Sequence, residues 1–269
     1  RVGVGKHLLL GGDNMDLALA YHLMQKLQKE GKTLDNHQFK SLTNLASKAK
    51  EKLFSDDKIQ KIPISLVGKG SKLISSTIKV ELTKQELKQI IAEGFFPSTE
   101  VTDLPEQKRN LSLQDFGLAY ENDAAITKHL AKFLSDCKEN LKSHPELKNL
   151  LEKNLTENTP ILSPDVVLFN GGVFKATILQ DKIMTILSKW SGRKLTNLQN
   201  ASLEQAVARG ATYFSKVKES GEGIRIKAGT ASSYYLGIEK SMLAIPGIKP
   251  QINGLCIVPQ GSEEGSDIS

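Results

Sequence analysis

Two periods of apolar positions run along this chain, and the places where one gives way to the other mark its elements. Met15 to Leu23 is apolar nearly all round, inside a segment from Asp13 to Gln28 that reads as a well-buried helix, stopped by Gly31. Phe39, Leu42, Leu45, Ala49 and Leu53 form the inner stripe of a second helix, from Asn36 to Phe54, with Lys40, Lys48, Lys50 and Lys52 covering the rest. The period then shortens. Ile59 to Leu66, a turn at Gly68-Lys69-Gly70 and a return from Leu73 to Leu82 predict a hairpin, and Pro63 suits an edge. Thr83 and Glu86 form a capping box that opens a helix closing at Gly94.

Phe95 to Asn122 keeps no period. It reads as a long insertion, because Phe95, Phe96 and Phe116 need something to bury against. Asp123 caps a helix carrying Ile126, Leu130, Phe133 and Leu134, and a polar helix follows around Pro145 to Lys153. Asp165 to Asn170 is an apolar run too short for a helix. It stops at Gly171-Gly172, and a helix with Leu179, Ile183, Ile186, Leu187 and Trp190 on one face is expected at once. A short strand near Leu195, a capping box at Ser202 to Gln205, a small-residue helix, two strands between Ile224 and Ile238, and a strand from Asn253 to Val258 complete the order. Val2 to Leu10 reads as a strand ending at a second glycine pair, Gly11-Gly12. The order predicts an α/β domain with a smaller α+β portion between Gly12 and Asn122.

Strand, glycine pair, helix is an arrangement that cradles phosphates or nucleosides. Residues without Cβ let the backbone touch a ligand, and the helix that follows presents free N–H groups. Glycine pairs also make plain strand-to-helix turns, so it is the repetition of the arrangement that carries weight. Asp13 and Asp16 follow the first pair and Glu204 lies near the second region. Each is a candidate ligand contact; Asp13 reads equally as a helix-start charge that complements the dipole, and Glu204 as a first-turn helix carboxylate.

The 269 residues allow one large domain or two small ones, and 39% apolar with 25% charged is ordinary globular composition. The first residue is Arg1 and the chain opens in what reads as mid-strand, so it is expected to be a piece of a longer protein. No apolar run spans a membrane and no signal peptide is expected. Cys137 and Cys256 suggest neither a disulfide framework nor a metal site, which makes a reduced, cytoplasmic setting the default. The net charge of +6 would suit nucleic acid. The lysines, however, are scattered among acids with no arginine cluster or basic-aromatic ladder, so no nucleic-acid partner is expected. His7, His22, His37, His129 and His144 lack a second ligand at metal spacing. Gly221-Glu222-Gly223 follows a helix and not a strand, which sets it aside as a dinucleotide fingerprint.

Four motifs in linear order resemble a known family. Leu10-Gly11-Gly12-Asp13-Asn14-Met15-Asp16 is similar to the Leu-Gly-Gly-Glu-Asp-Phe-Asp of the seventy-kilodalton heat-shock chaperones. Val166 to Gly172 resembles their adenosine motif, a hydrophobic strand ending in Val-Gly-Gly. Glu204 to Ala211 resembles their Asp-Glu-Ala-Val-Ala-Tyr-Gly-Ala helix, and Tyr235 to Glu239 their Ser-Leu-Gly-Ile-Glu strand. The segment after Gly94 resembles a divergent bacterial branch. The resemblance implies the second lobe of an actin-like, ribonuclease-H-like ATPase domain. Residues 1–10 and 123–269 would be its inner subdomain, and 11–122 the outer one, with the insertion at about 95–122 and a hinge at Gly11-Gly12. It implies that Gly11, Gly12, Lys50, Gly171, Gly172, Lys175 and Glu204 bind adenine nucleotide. ATP or ADP with Mg2+ would be the cofactor, and client proteins or co-chaperones would be partners. Ser47 stands where members carry an adenine-contacting Glu, and Lys175 replaces an arginine that packs on the base. The phosphate loops and catalytic lysine of the family would lie outside this chain, so no catalytic residue is expected in it. Two other readings fit the sequence: a different actin-like ATPase, such as a sugar-kinase relative, and a non-enzymatic interaction module.

Overall fold

Each apolar face found in the sequence needs a partner, and in the computed structural model most of them share one core. The structure describes residues 3–5, 8–68, 77–106, 123–142, 159–199, 202–224, 229–230, 233–241, 251–259 and 261–262. The chain divides into two compact units, residues 8–207 and residues 1–7 with 208–269. Helices and strands alternate in the mixed manner of an α/β protein, and the sheets are small.

In the larger unit, α1 (Gly12–Lys29) buries Met15, Leu19, Leu23 and Leu27. α2 (Asn36–Ser55) starts at Asp35, whose carboxylate accepts from Gln38 N at 2.8 Å while Gln38 Oε1 accepts from Asp35 N. This reciprocal cap satisfies two otherwise orphaned donors. The deepest residues of α2 are Leu42, Ala46, Ala49 and Leu53; Phe39 and Leu45 are only half-buried. Ala46 thus takes the place of Leu45 in the buried stripe.

β1 (Lys61–Val67) and β2 (Thr77–Thr83) pair antiparallel, with Ile64 opposite Val80 and Leu66 opposite Ile78. Ile64, Leu66, Val80 and Leu82 face the helices, while Lys61, Pro63, Lys79 and Glu81 alternate outward. Gly70 and the expected return from Leu73 to Ser76 lie outside the described residues. Thr83 caps α3 (Lys84–Leu87), accepting from Glu86 N at 3.1 Å while Glu86 Oε2 accepts from Thr83 N at 2.9 Å. The helix then widens to a π-turn over Lys88–Glu93. Gly94 closes it, and a Cβ there would collide with the Ile90 carbonyl oxygen.

The described part of the long segment after Gly94 is packed against two helices, α4 (Ile126–Lys142) and α5 (Thr177–Ser191). Phe96 is fully buried, its ring edge-on to Phe174 at 6.2 Å. Ile126 N donates to Phe95 O at 2.8 Å, and Thr127 Oγ1 to Pro97 O at 2.9 Å. From α5, Trp190 Nε1 donates to Thr99 O at 3.0 Å and Lys182 Nζ to Ala92 O at 2.6 Å. Residues 107–122, with Phe116, and the polar helix expected around Pro145 to Lys153 lie outside the described residues.

β3 (Val166–Leu168) and β4 (Thr196–Leu198) pair parallel, with α5 as the crossover between them. In the smaller unit, α6 (Ala206–Ser220) runs on from the unit boundary, and β5 (Tyr234–Glu239) pairs antiparallel with β6 (Ile252–Val258) across a bulge at Tyr234 and Tyr235. Gly221, at φ +70°, ends α6 by donating to Val217 O at 2.9 Å. The Gly221-Glu222-Gly223 run is therefore a helix stop.

Two expectations need correction. The strand expected from Val2 to Leu10 is not formed at Gly3 to Gly5 or at Leu8 to Leu10. Gly3 and Gly5 weaken a strand, and no partner ladder pairs with these residues among those described. The helix expected immediately after Gly172 starts at Thr177, behind a 3₁₀ turn over Gly172–Lys175.

Glu86 joins α1 to α3. His22 Nε2 lies 3.1 Å and Lys26 Nζ 2.7 Å from its Oε1. Burial alone would raise its pKa; donors from Lys26, Thr83 N, His22 and the Thr83 hydroxyl more than offset that and bring it from 4.5 to about 2. A carboxylate held below its unfolded pKa stabilises the fold above that pKa and stops doing so as pH falls through the folded one. Glu86→Gln is therefore expected to lower stability at pH 7 by about 1–2 kcal/mol, discounted for solvent screening. The deficit should shrink as pH falls from 4.5 toward about 2. Urea unfolding at pH 7 and pH 3 measures it; a deficit independent of pH would contradict the assignment.

Candidate functional site

Both glycine turns border one cavity. At the first, Gly11 caps α1 in an extended conformation and its N–H donates to Asn14 Oδ1 at 2.8 Å. Gly12 opens the helix, Asp13 stands in its first turn, and Asp16 faces inward from the second. At the other turn, β3 ends at Phe169 and Asn170. Gly171 takes φ +90°, a left-handed value that favours glycine, and its N–H is shared between Asn170 Oδ1 at 2.9 Å and Leu203 O at 3.0 Å. Gly172 begins the 3₁₀ turn, which brings Val173 beside Gly12.

The cavity measures about 750 Å³, within the range of small-molecule sites. Met15, Phe54, Val173 and Leu179 give it apolar surface. Asp13, Asp16, Ser47, Lys50 and Lys175 give it polar groups, and Gly12 and Gly172 contribute bare backbone. A Cβ on Gly12 would make only ordinary contacts, 3.7 Å to Val173 Cγ2 and 3.9 Å to Lys50 Nζ. One on Gly172 would meet nothing within 4 Å. The protein's own packing therefore does not require glycine at 12 or 172.

Lys50 and Asp16 form the charged floor. Lys50 Nζ lies 2.7 Å from Asp16 Oδ1, and each side chain is only 12% exposed. Asp16 Oδ1 is fully buried, and Lys50 Nζ is the cation that reaches it. The pair joins α1 to α2 beside the cavity and leaves no net charge there. At the rim, Lys175 pairs with Glu204, both more than half exposed.

Of the seven residues expected to bind nucleotide, Gly12, Lys50, Gly172 and Lys175 line the cavity. Gly11 and Gly171 each precede a lining glycine and set the turn that presents it, while Glu204 reaches the site only through Lys175. Sequence reasoning noted Asp16 without placing it in the site. Its signal was an acid on the apolar inner face of a helix, between Met15 and Leu19. Phe54 and Leu179 gave no signal apart from that of core residues.

No family model matches this chain, and no curated protein matches it. The reading of the site therefore stands on geometry and on the motifs themselves.

Among the described residues that line the cavity there is no histidine or cysteine. His22 is tied to Glu86, and His129 Nε2 lies 2.9 Å from Asp123 O, both away from the cavity. Cys137 is buried on α4, and burial pushes its thiol pKa up, which makes it a poor nucleophile.

The Lys50–Asp16 pair gives a stability test. Lys50→Met leaves a buried carboxylate without its cation and is expected to cost about 3 kcal/mol. Lys50→Met combined with Asp16→Asn should recover at least half of that loss. Urea unfolding of the single and double variants measures the coupling. Strict additivity would mean the two side chains do not interact.

Proposed function

We propose that the cavity binds the nucleoside end of an adenine nucleotide and that this chain forms one wall of an ATP-binding, heat-shock-chaperone-like nucleotide domain. The observation that carries the reading is the meeting of Gly12 and Gly172 at one cavity. Two motifs far apart in sequence, each resembling a nucleotide contact of the same family, expose bare backbone to a common space. The reading carries with it an actin-like, ribonuclease-H-like lobe. The parallel β3–α5–β4 unit and the capped hairpin subdomain are compatible with such a lobe.

In this reading each residue has a physical task. Gly12 and Gly172 let the backbone lie against the ligand. Phe54 and Leu179 remove the base from water. Lys50, anchored by Asp16, donates toward the polar part of the nucleoside. Lys175 covers the base side and is steered by Glu204. ATP and ADP fit the donor set and the size of the cavity. Mg2+ would travel with the phosphates; among the described residues no three His, Cys, Asp or Glu side chains gather to hold it, and no step is assigned to it. Client proteins and co-chaperones are the partners this reading implies, in the cytoplasm. Among the described residues, no helix is long and apolar enough to cross a membrane.

Gly172→Val is the cleaner test of the two cradle glycines, because Gly171 also needs its positive φ. Gly172→Val should leave the melting temperature near that of the wild type and weaken ADP binding by about tenfold or more, near 1.4 kcal/mol. Titration calorimetry with an unchanged circular dichroism spectrum reads both. Unaltered affinity in a folded variant would remove Gly172 from the site.

A second expectation follows from phosphoryl transfer needing metal, phosphate clamps and a positioned water together, tasks that this reading gives to none of the cavity residues. The purified chain should hydrolyse ATP no faster than a buffer control. Turnover above that background, lost in Gly172→Val, would show that the chain is catalytic by itself.

A further inference from the structure

We infer that the ring of Phe54 stacks on the base of the bound nucleotide and so selects a flat aromatic ligand for the cavity. The inference rests on the nucleotide reading above and adds a specificity-determining residue to it.

Phe54 stands in the last turn of α2, one turn after Lys50 and two after Ser47, and all three line the cavity. The face they share is otherwise polar, with Ser47, Lys50 and Glu51 on it. The buried stripe of α2 runs through Leu42, Ala46, Ala49 and Leu53 and leaves Phe54 beside it. The Phe54 side chain is half-buried: it packs against the core and keeps part of its surface exposed. Of the described residues that line the cavity, Phe54 alone is aromatic. Tyr21 meets Phe39, and Phe174 meets both Phe96 and Phe169, but Phe54 has no ring contact among the described residues. It therefore brings to the cavity an aromatic surface that no other described ring uses.

This surface selects the part of the ligand that meets it. Phosphates are charged and ribose carries hydroxyls; both lose hydration against a hydrocarbon ring and gain no hydrogen bond from it. A base is flat, and an offset stack on an aromatic ring is favourable beyond the area it buries. Val173 and Leu179 bring further apolar surface to the same cavity from the other glycine motif. The base therefore lies against the end of α2, and the sugar lies toward Lys50, one turn back along the helix. A purine covers more of the ring than a pyrimidine does, so ADP is preferred to UDP.

The test follows ADP on the full chain by isotope-edited NMR, which reads weak affinities. Nuclear Overhauser effects should connect the Phe54 ring protons with adenine H2 or H8, and those adenine signals should move upfield on binding. Phe54→Leu keeps an apolar side chain and removes the π face. It should bind ADP about fivefold more weakly, lose most of the upfield movement, and prefer ADP to UDP less than the wild type does. Phe54→Tyr keeps the ring and should bind ADP within about twofold of the wild type. A purely structural role for Phe54 would lower the melting temperature of Phe54→Leu and leave the bound adenine signals where they were. If ADP binds and no Overhauser effect reaches Phe54, or if Phe54→Leu binds ADP as tightly as the wild type, the inference is overturned and the nucleotide reading stands. If ADP itself does not bind, both fall. Should Phe54→Leu fail to fold, the Overhauser effects in the wild type and in Phe54→Tyr still decide.

Discussion

Lys50 and Asp16 meet where neither can be fully hydrated, and the site depends on that meeting. α1 and α2 also share the apolar core, with Leu19, Leu23, Leu42 and Leu53 buried in it and Tyr21 packed on Phe39 at 4.9 Å, and apolar burial by itself is non-directional. An ion pair with both partners nearly buried fixes the register, because displacing either leaves a charge alone in apolar surroundings. The second turn of α1 is thereby held beside the last turns of α2. Gly12, one turn before Asp16, faces Val173 of the 3₁₀ turn. The cavity is the space that remains when these three pieces are fixed.

The rest of the larger unit braces the third piece. The 3₁₀ turn stands between β3 and α5, with Phe174 packed on Phe169 at 4.8 Å and facing the buried Phe96. Gln180 Nε2 donates to Phe174 O at 2.6 Å, which ties the turn to the helix that follows. Gly171 N–H reaches Leu203 O, and Lys175 reaches Glu204, so the segment before α6 steadies the turn from its other side. Residues 92–100 hold α5 through Lys182, Lys189 and Trp190. These contacts bind the hairpin portion to the β3–α5–β4 portion.

What was legible in the sequence was local. The capping box at Thr83 and Glu86, the hairpin around Ile64 and Val80, the inner face of α5 and the glycine pair after β3 each declare themselves within a few residues. What was not legible depended on distant partners. Nothing local separates the 3₁₀ turn at Gly172 from the start of a helix, because Phe96 and Phe169 decide where Phe174 goes. The π-turn before Gly94 and the docking of Thr99 under Trp190 are tertiary effects of the same kind. The glycine pair at Gly11 suggested a strand before it, yet Gly3 and Gly5 left that segment without a ladder. Within the site, Gly12, Lys50, Gly172 and Lys175 could be named from motifs. The pairing of Asp16 with Lys50 could not be, since nothing local in α1 says which lysine of α2 will reach it.

The central claim is that the two glycine turns serve one ligand. Titrating ADP into the ¹⁵N-labelled chain while following the amide signals of Gly12 and Gly172 tests it most directly. A common ligand moves both signals along one saturation curve with a single Kd. Two different curves, or movement at one glycine with the other unchanged, would contradict the account.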